Sequence, residues 1–227
     1  TQDNEQTTIS VQSTTKGFAV LSAASIIVKV LSLLYIPVLL AIIGEEGNGI
    51  YAAAYQVYVF VYVLTNSGLP VAISKLVAEL IAVRNYKDAV RSFKIARFLL
   101  MVVGIFMSVL MMLLAGPLAK VVKFEKAHLA IVALSPTLIF TSTASAYRGY
   151  FQGRGNMVPT AISQVIEQVA NTIFTLVFAA LFIKYSLEAA CAGGTIGTSL
   201  GAFCSMTFLI LFYRENKKFV VPKGYLR

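Results

Sequence analysis

Residues 17–43 read GFAVLSAASIIVKVLSLLYIPVLLAII, an apolar run with one charge, Lys29, inside it. A helix needs about 20 apolar residues to cross the hydrocarbon core of a bilayer, and this run exceeds that. Apolar blocks recur at 49–83, up to 115, at 129–147, at 159–184 and at 187–213. Composition agrees, with 58% hydrophobic residues, 13% charged residues and a mean hydropathy of +0.78. Soluble domains carry roughly a quarter charged residues. In lipid every backbone polar group must be satisfied internally, which helices do. The expected class is an all-α integral membrane protein, a six-transmembrane-helix bundle over 16–213. A flexible tail rich in Thr, Gln and Ser is expected at 1–15, and a basic cytoplasmic linker at 214–227.

Punctuation inside the blocks sets their ends. The first contains Pro37 and closes at 44–48, which read GEEGN. The second is interrupted at 66–70, NSGLP, where Gly and Pro weaken a helix. Gly116-Pro117 is expected to stop the third. The fourth should give way to a glycine-rich turn at 148–156, RGYFQGRGN, and Pro159 suits the first turn of the fifth. Gly193, Gly197 and Gly201 recur every four residues in the sixth, a small-residue face that lets helices approach closely.

The net charge is +9. The basic residues lie mostly between the apolar blocks, which suits topology and anionic headgroups, so nucleic acid is not an expected partner. With a cytoplasmic N-terminus, the inner segments hold Lys16, then Arg84, Lys87, Arg91, Lys94 and Arg97, then Arg148 and Arg154, then Arg214, Lys217, Lys218, Lys223 and Arg227. The outer loops hold only Lys120, Lys123, Lys126 and Lys184. The positive-inside rule therefore puts both ends of the chain in the cytoplasm.

Four spans carry polar residues at helical spacing. These are Ser22, Ser25, Lys29 and Ser32; Tyr51, Tyr55, Tyr58, Tyr62 and Thr65; Thr137, Thr141, Ser145 and Arg148; and Thr160, Gln164, Gln168, Asn171 and Thr175, with Ser163 and Glu167 beside the last set. Singly, such residues join helices by hydrogen bonds. Converging from four helices, they would line a water-accessible cavity. Lys29 stands twelve residues into its span, about 18 Å along a helix. An ammonium at that depth is costly unless hydrated or paired. It is read as an anion-binding residue or as the ion-pair partner of Glu167, which is itself a candidate for ion coupling.

Enzyme chemistry lacks parts. The aspartates, Asp3 and Asp88, lie outside the spans. His128 is the one histidine, too few for a catalytic zinc. No phosphate-binding glycine loop of the Walker type is present. Cys191 and Cys204 share one apolar block and read as small core residues. No catalytic residue, cofactor or metal site is expected.

Gly49-Ile50-Tyr51 with Tyr55 and Tyr58, then GLPVAISKLVAE at 68–79, resemble the second-helix signature of the polysaccharide-export branch of the MATE-like (MOP) superfamily. YRGYFQG at 147–153 through Asn156, with Pro159-Thr160-Ala161, Gln164 and Glu167-Gln168, resembles the same branch. Within it the likeness is to the stage V sporulation protein B group, related to MurJ lipid II flippases. The resemblance implies two six-helix lobes around a V-shaped cavity and alternating access. It implies that this chain is the N-terminal lobe, a second lobe being its partner. Lys29 falls where MurJ-like proteins carry a cavity arginine, and Tyr35 where more distant ones carry a second, so the sequence departs there.

The leading expectation is half of a flippase for a lipid-linked glycan, an undecaprenyl-diphosphate-linked peptidoglycan precursor or polysaccharide unit, in the bacterial cytoplasmic membrane. The cavity residues would be Lys29, Ser25, Ser32, Tyr55, Tyr62, Arg148, Gln164, Gln168 and Asn171, with Glu167 for coupling to Na+, H+ or the membrane potential. Membrane lipids are the other expected partners. The alternatives are a cation-coupled drug exporter of the MATE type, which would need cavity carboxylates, and a non-transporting scaffold, which would need no polar stripes.

Overall fold

The computed structural model describes residues 14–215, and these form helices and the turns between them. The elements are α1 (Thr14–Asn66), α2 (Leu69–Ala82), α3 (Tyr86–Leu113), α4 (Ala115–Val121), a 3-10 turn (Glu125–Ala127), α5 (His128–Leu134), α6 (Thr137–Gly153), α7 (Val158–Phe182) and α8 (Leu187–Glu215). Four helical stretches are long and apolar enough to cross a membrane, and five if the bent pair ending in α6 counts as one.

The longest stretch is not straight. Gly44 adopts φ 74°, ψ −177° inside α1, a region that essentially only glycine enters. A Cβ at Gly47 would fall 2.6 Å from the Cβ of Ile43, so the chain doubles back sharply there. Tyr35, Leu39 and Ile43 before the bend share one hydrophobic core with Ile50, Tyr51 and Tyr58 after it. On a straight helix Tyr35 and Tyr51 would stand about 24 Å apart. The two limbs, 14–43 and 45–66, therefore form a helical hairpin, each limb long enough to span. Gly68 (φ 71°) makes the next break, where residues 66–70 were expected to interrupt the second span, and Pro70 sits in the first turn of α2. At Ser135-Pro136 the chain bends by 43° between α5 and α6.

Side-chain contacts gather alternate loops at the two ends of the bundle. At one end Lys126 Nζ donates to Glu46 Oε1, a pairing that raises the lysine pKa above its ordinary value. Gly47 packs on Leu187, and Gly49 on the ring of Phe124. At the other end Phe93 stacks on Tyr150 with ring centres 4.4 Å apart and meets Tyr213 at 5.1 Å. Arg97 lies over the Phe93 ring and donates to the Tyr147 hydroxyl at 3.0 Å. Large apolar side chains such as Phe18, Leu33, Leu34, Val71, Phe106 and Leu113 are exposed, as expected of surfaces that a bilayer covers.

Small residues set the closest helix contacts. Gly193, Gly197 and Gly201 of α8 lie on α7, where a Cβ at Gly201 would come 2.9 Å from the Glu167 carbonyl oxygen. A second face was not anticipated. Gly149 and Gly153 of α6 press on α2, each with a Cβ position 2.7 Å from a backbone oxygen, of Pro70 and Ser74 respectively.

Several boundaries differ from the expectations. Residues 148–153 are the last turns of α6, not a glycine-rich turn, so Arg148 belongs to a helix and drops out of the tally of loop charges. Gly116-Pro117 sits in the first turn of α4 rather than stopping α3 for good, because Pro is tolerated where no helical N–H is needed. Thr14 and Thr15 are helical, and α8 runs through Arg214 to Glu215. The rest of the expected flexible tail, 1–13, and of the basic linker, 216–227, lies outside the described residues.

Candidate cavity between the helices

A cavity of about 590 Å³ lies between α1, α6, α7 and α8. Its lining includes Ser25, Lys29, Tyr35, Tyr51, Tyr55, Tyr58, Thr137, Arg148, Gln164, Glu167, Gln168, Asn171 and Thr198. Ser25 and Lys29 are exposed, on the first limb of α1, and mark its open side. Tyr51 and Tyr58, on the second limb, are buried and form its inner wall.

Of the sequence-derived site, Lys29, Ser25, Tyr55, Arg148, Gln164, Glu167, Gln168 and Asn171 are brought together here. Ser32 and Tyr62 are not in the lining. Ser32 donates back to the Val28 carbonyl at 3.0 Å, one turn up its own helix. Tyr62 shares a 3.3 Å hydrogen bond with Ser145 of α6.

The tyrosine stripe both lines the cavity and ties helices together. Tyr58 donates to Thr141 Oγ1 at 3.1 Å, and Thr141 donates to the Thr137 carbonyl at 2.8 Å. Tyr55 and Thr198 hydroxyls lie 2.5 Å apart. Thr198 directs its single proton to Asn171 Oδ1 at 2.9 Å, so Tyr55 is the donor between them. Thr175 shares its single proton between the same Asn171 oxygen, at 2.9 Å, and the Gly194 carbonyl of α8, at 3.1 Å. The buried Asn171 carbonyl is thus fixed by two hydroxyls from α7 and α8.

The charged groups are arranged differently from the expected Lys29–Glu167 pair. Glu167 Oε2 accepts from Arg148 Nη2 at 3.0 Å, with the two side chains 29% and 17% exposed. Arg148 Nη2 also donates to Ser205 Oγ at 2.9 Å, and Nε to Ser163 Oγ at 3.1 Å. One guanidinium from α6 therefore grips α7 twice and α8 once. Arg148 is nearer than Lys29 because α6 continues past Tyr147 and aims it at the α7 face carrying Ser163 and Glu167. Among the described residues, Lys29 makes no ion pair or hydrogen bond.

Val28 and Thr198 line the cavity without having been named from the sequence, and Tyr35, Tyr51, Tyr58 and Thr137 line it without having been among the expected cavity residues. Thr198 was passed over because the glycine periodicity of the sixth span drew attention to packing alone. Thr198 and Ser205, seven residues apart, share one face of α8, and that was the available signal.

The sequence profile of the family described as "Polysaccharide biosynthesis protein" matches residues 14–227. The chain is 32% identical over 213 residues to stage V sporulation protein B of Bacillus subtilis (strain 168), covering 93% of this chain and 41% of that protein. It is 25% identical over 214 residues to lipid II flippase MurJ of the same organism, covering 89% and 39%. The chain thus spans about 40% of the length of these relatives. Among solved structures, the fold is similar to a MOP superfamily transporter from Pyrococcus furiosus, with TM-score 0.73 and 16% identity over 96% of this chain and 48% of that one. It is also similar to a MATE structure in complex with MaD3S, with TM-score 0.62, 17% identity, and 89% and 44% coverage.

Proposed function

We propose that this chain, which belongs to the polysaccharide biosynthesis protein family, is the N-terminal half of a transporter that moves a lipid-linked glycan across the bacterial cytoplasmic membrane. The observation that carries the reading is a cavity holding two cationic side chains, Lys29 and Arg148, against one carboxylate, Glu167. Such a balance favours an anionic headgroup, and a diphosphate presents the negative charge that a low-dielectric path opposes most strongly. Relatives that carry the names stage V sporulation protein B and lipid II flippase MurJ point to an undecaprenyl-diphosphate-linked peptidoglycan precursor or polysaccharide unit. The open side of the cavity, at Ser25 and Lys29, is where a second six-helix half would close it, and alternating access would be the rocking of one half on the other.

In this reading the chain has six spans, counting the limbs of α1 separately, with both ends cytoplasmic. It performs no covalent chemistry. Glu167 is the group through which Na+, H+ or the membrane potential would be coupled. A cation-coupled drug exporter is less well supported, since Lys29 and Arg148 would repel a cationic drug. A scaffold without transport leaves the polar cavity without a role.

The test is a Lys29 series in the full-length protein, reconstituted in liposomes and assayed for flipping of an undecaprenyl-diphosphate-linked sugar. Lys29→Arg keeps the charge and should retain much of the rate. Lys29→Ala should lose about tenfold or more, the scale of a charge-assisted hydrogen bond. Lys29→Glu should be slowest. Wild-type flipping by Lys29→Ala would remove this site from the pathway.

A further inference from the structure

Among the described residues, Arg148 uses three of its five N–H donors. A guanidinium has five N–H donors. Nε is engaged by Ser163, and both hydrogens of Nη2 by Glu167 and Ser205. Nη1 makes no hydrogen bond among the described residues, and the side chain lines the cavity. Arginine binds phosphate best through two parallel N–H donors. A phosphate approaching the Nη1–Nη2 edge must therefore take one hydrogen that Nη2 now gives away. Of its two present acceptors, Ser205 is neutral, whereas Glu167 carries a charge that repels the incoming anion.

We infer that Glu167 is an internal stand-in for the substrate's phosphate, holding Arg148 while the cavity is empty and giving it up when a diphosphate headgroup binds. This rests on the transport reading and adds to it a specificity-setting role for a carboxylate that would otherwise only repel the substrate. The pair raises the threshold for binding: an anion that cannot take both an Nη1 and an Nη2 hydrogen does not recover the lost ion pair. Lys29, exposed at the mouth of the cavity, gives the first and less selective contact at the open side. Arg148 then supplies the contact that has to be won from Glu167.

Competition makes a signature that simple repulsion does not. If Glu167 acts by occupying Arg148, then its effect on ligand affinity exists only while Arg148 is present. If it acts by through-space repulsion, its effect survives the loss of Arg148. A double-mutant cycle separates the two.

The experiment measures dissociation constants by equilibrium dialysis, on the full-length protein in lipid nanodiscs, for labelled farnesyl diphosphate and, in a parallel arm, inorganic pyrophosphate. Glu167→Gln should bind farnesyl diphosphate on the order of tenfold more tightly than wild type. Arg148→Gln should bind more weakly, and adding Glu167→Gln to it should change nothing further. Tighter binding in the prenyl arm than in the pyrophosphate arm identifies the headgroup of a lipid rather than a free diphosphate as the ligand. If Glu167→Gln fails to accumulate, Glu167→Asp is measured in its place; its shorter side chain retreats from Arg148 and should shift affinity in the same direction. An unchanged or weakened affinity in the Glu167 variant overturns the inference, as does an equal gain with and without Arg148. If wild type binds diphosphate and Lys29→Ala weakens it, the transport reading outlives that failure. If neither ligand binds wild type, both fall.

Discussion

Gly197 of α8 lies directly on the backbone of Thr175 in α7: a Cβ at Gly197 would fall 2.4 Å from the Thr175 amide nitrogen. Real Cβ atoms do not come that close, so the helices must separate to admit even a methyl group. The contact adjoins the Thr198–Asn171–Thr175 hydrogen bonds, since Gly197 precedes Thr198 and Thr175 belongs to both, and those bonds need both helices in register.

Gly197→Ala should therefore destabilise the protein by about 1–3 kcal/mol, the usual cost of overpacking. The matched control is Gly116→Ala in α4, where the nearest atom to a new Cβ is 3.8 Å away. That change should be neutral or slightly stabilising, since Ala is the better helix former. Thermal melts in one detergent compare the two, and equal Tm values would remove the claim that the α7–α8 face is set by backbone contact.

The bend in α1 gives a different kind of glycine dependence. Nothing lies within 4 Å of a Cβ at Gly44, so space is not limiting, yet its φ of 74° with ψ −177° is hostile to any side chain. Gly44→Ala should cost about 1–3 kcal/mol through backbone strain alone. Gly44→Ala and the larger but unbranched Gly44→Gln should then cost nearly the same, whereas a packing effect would grow with side-chain size.

The apolar blocks announced the helices because lipid-facing residues need no partner beyond the bilayer, and glycine and proline marked the breaks at residues 44 and 68. Arg148 was harder to place. Gly149, Gly153 and Gly155 around it look like a loop, but the first two are close-contact positions against α2, and only Gly155, with φ 76°, turns the chain. Composition cannot distinguish a glycine that bends a chain from one that lets a neighbouring helix approach. The choice of Lys29 or Arg148 as partner of Glu167 was likewise out of reach, since it depends on how α6 is rotated toward α7.

Topology follows from loop charge and from the two ends of the bundle. With Cys191 and Cys204 replaced, single cysteines at 45, 123 and 184 should react with an impermeant thiol reagent in intact cells, and those at 87 and 154 only after permeabilisation. Assigning Arg148 to the cavity leaves the charge bias intact, because Arg84 stays in the turn between α2 and α3, and Lys87, Arg91 and Lys94 lie in the first turns of α3 beside it. Labelling at 87 or 154 but not at 45 would invert the orientation.

The ion pair sets the last expectation, which divides stability from transport. Arg148 joins three helices through Glu167, Ser163 and Ser205, so Arg148→Ala leaves a largely enclosed carboxylate and two hydroxyls without their donor. Removing one member of such a pair strands the other, and with partial exposure the loss should be about 1–3 kcal/mol. Arg148→Ala with Glu167→Gln should regain part of it, because a neutral amide tolerates the site better than an unpaired charge. Lys29 has no such partner among the described residues, and its side chain is exposed. Lys29→Ala should melt with wild type, and adding Glu167→Gln to it should show no rescue. Melting temperatures for the five variants, Lys29→Ala, Arg148→Ala, Glu167→Gln and the two doubles, decide between the pairings. A Lys29→Ala protein as unstable as Arg148→Ala, and rescued by Glu167→Gln, would return Glu167 to Lys29 and overturn the Arg148 pairing.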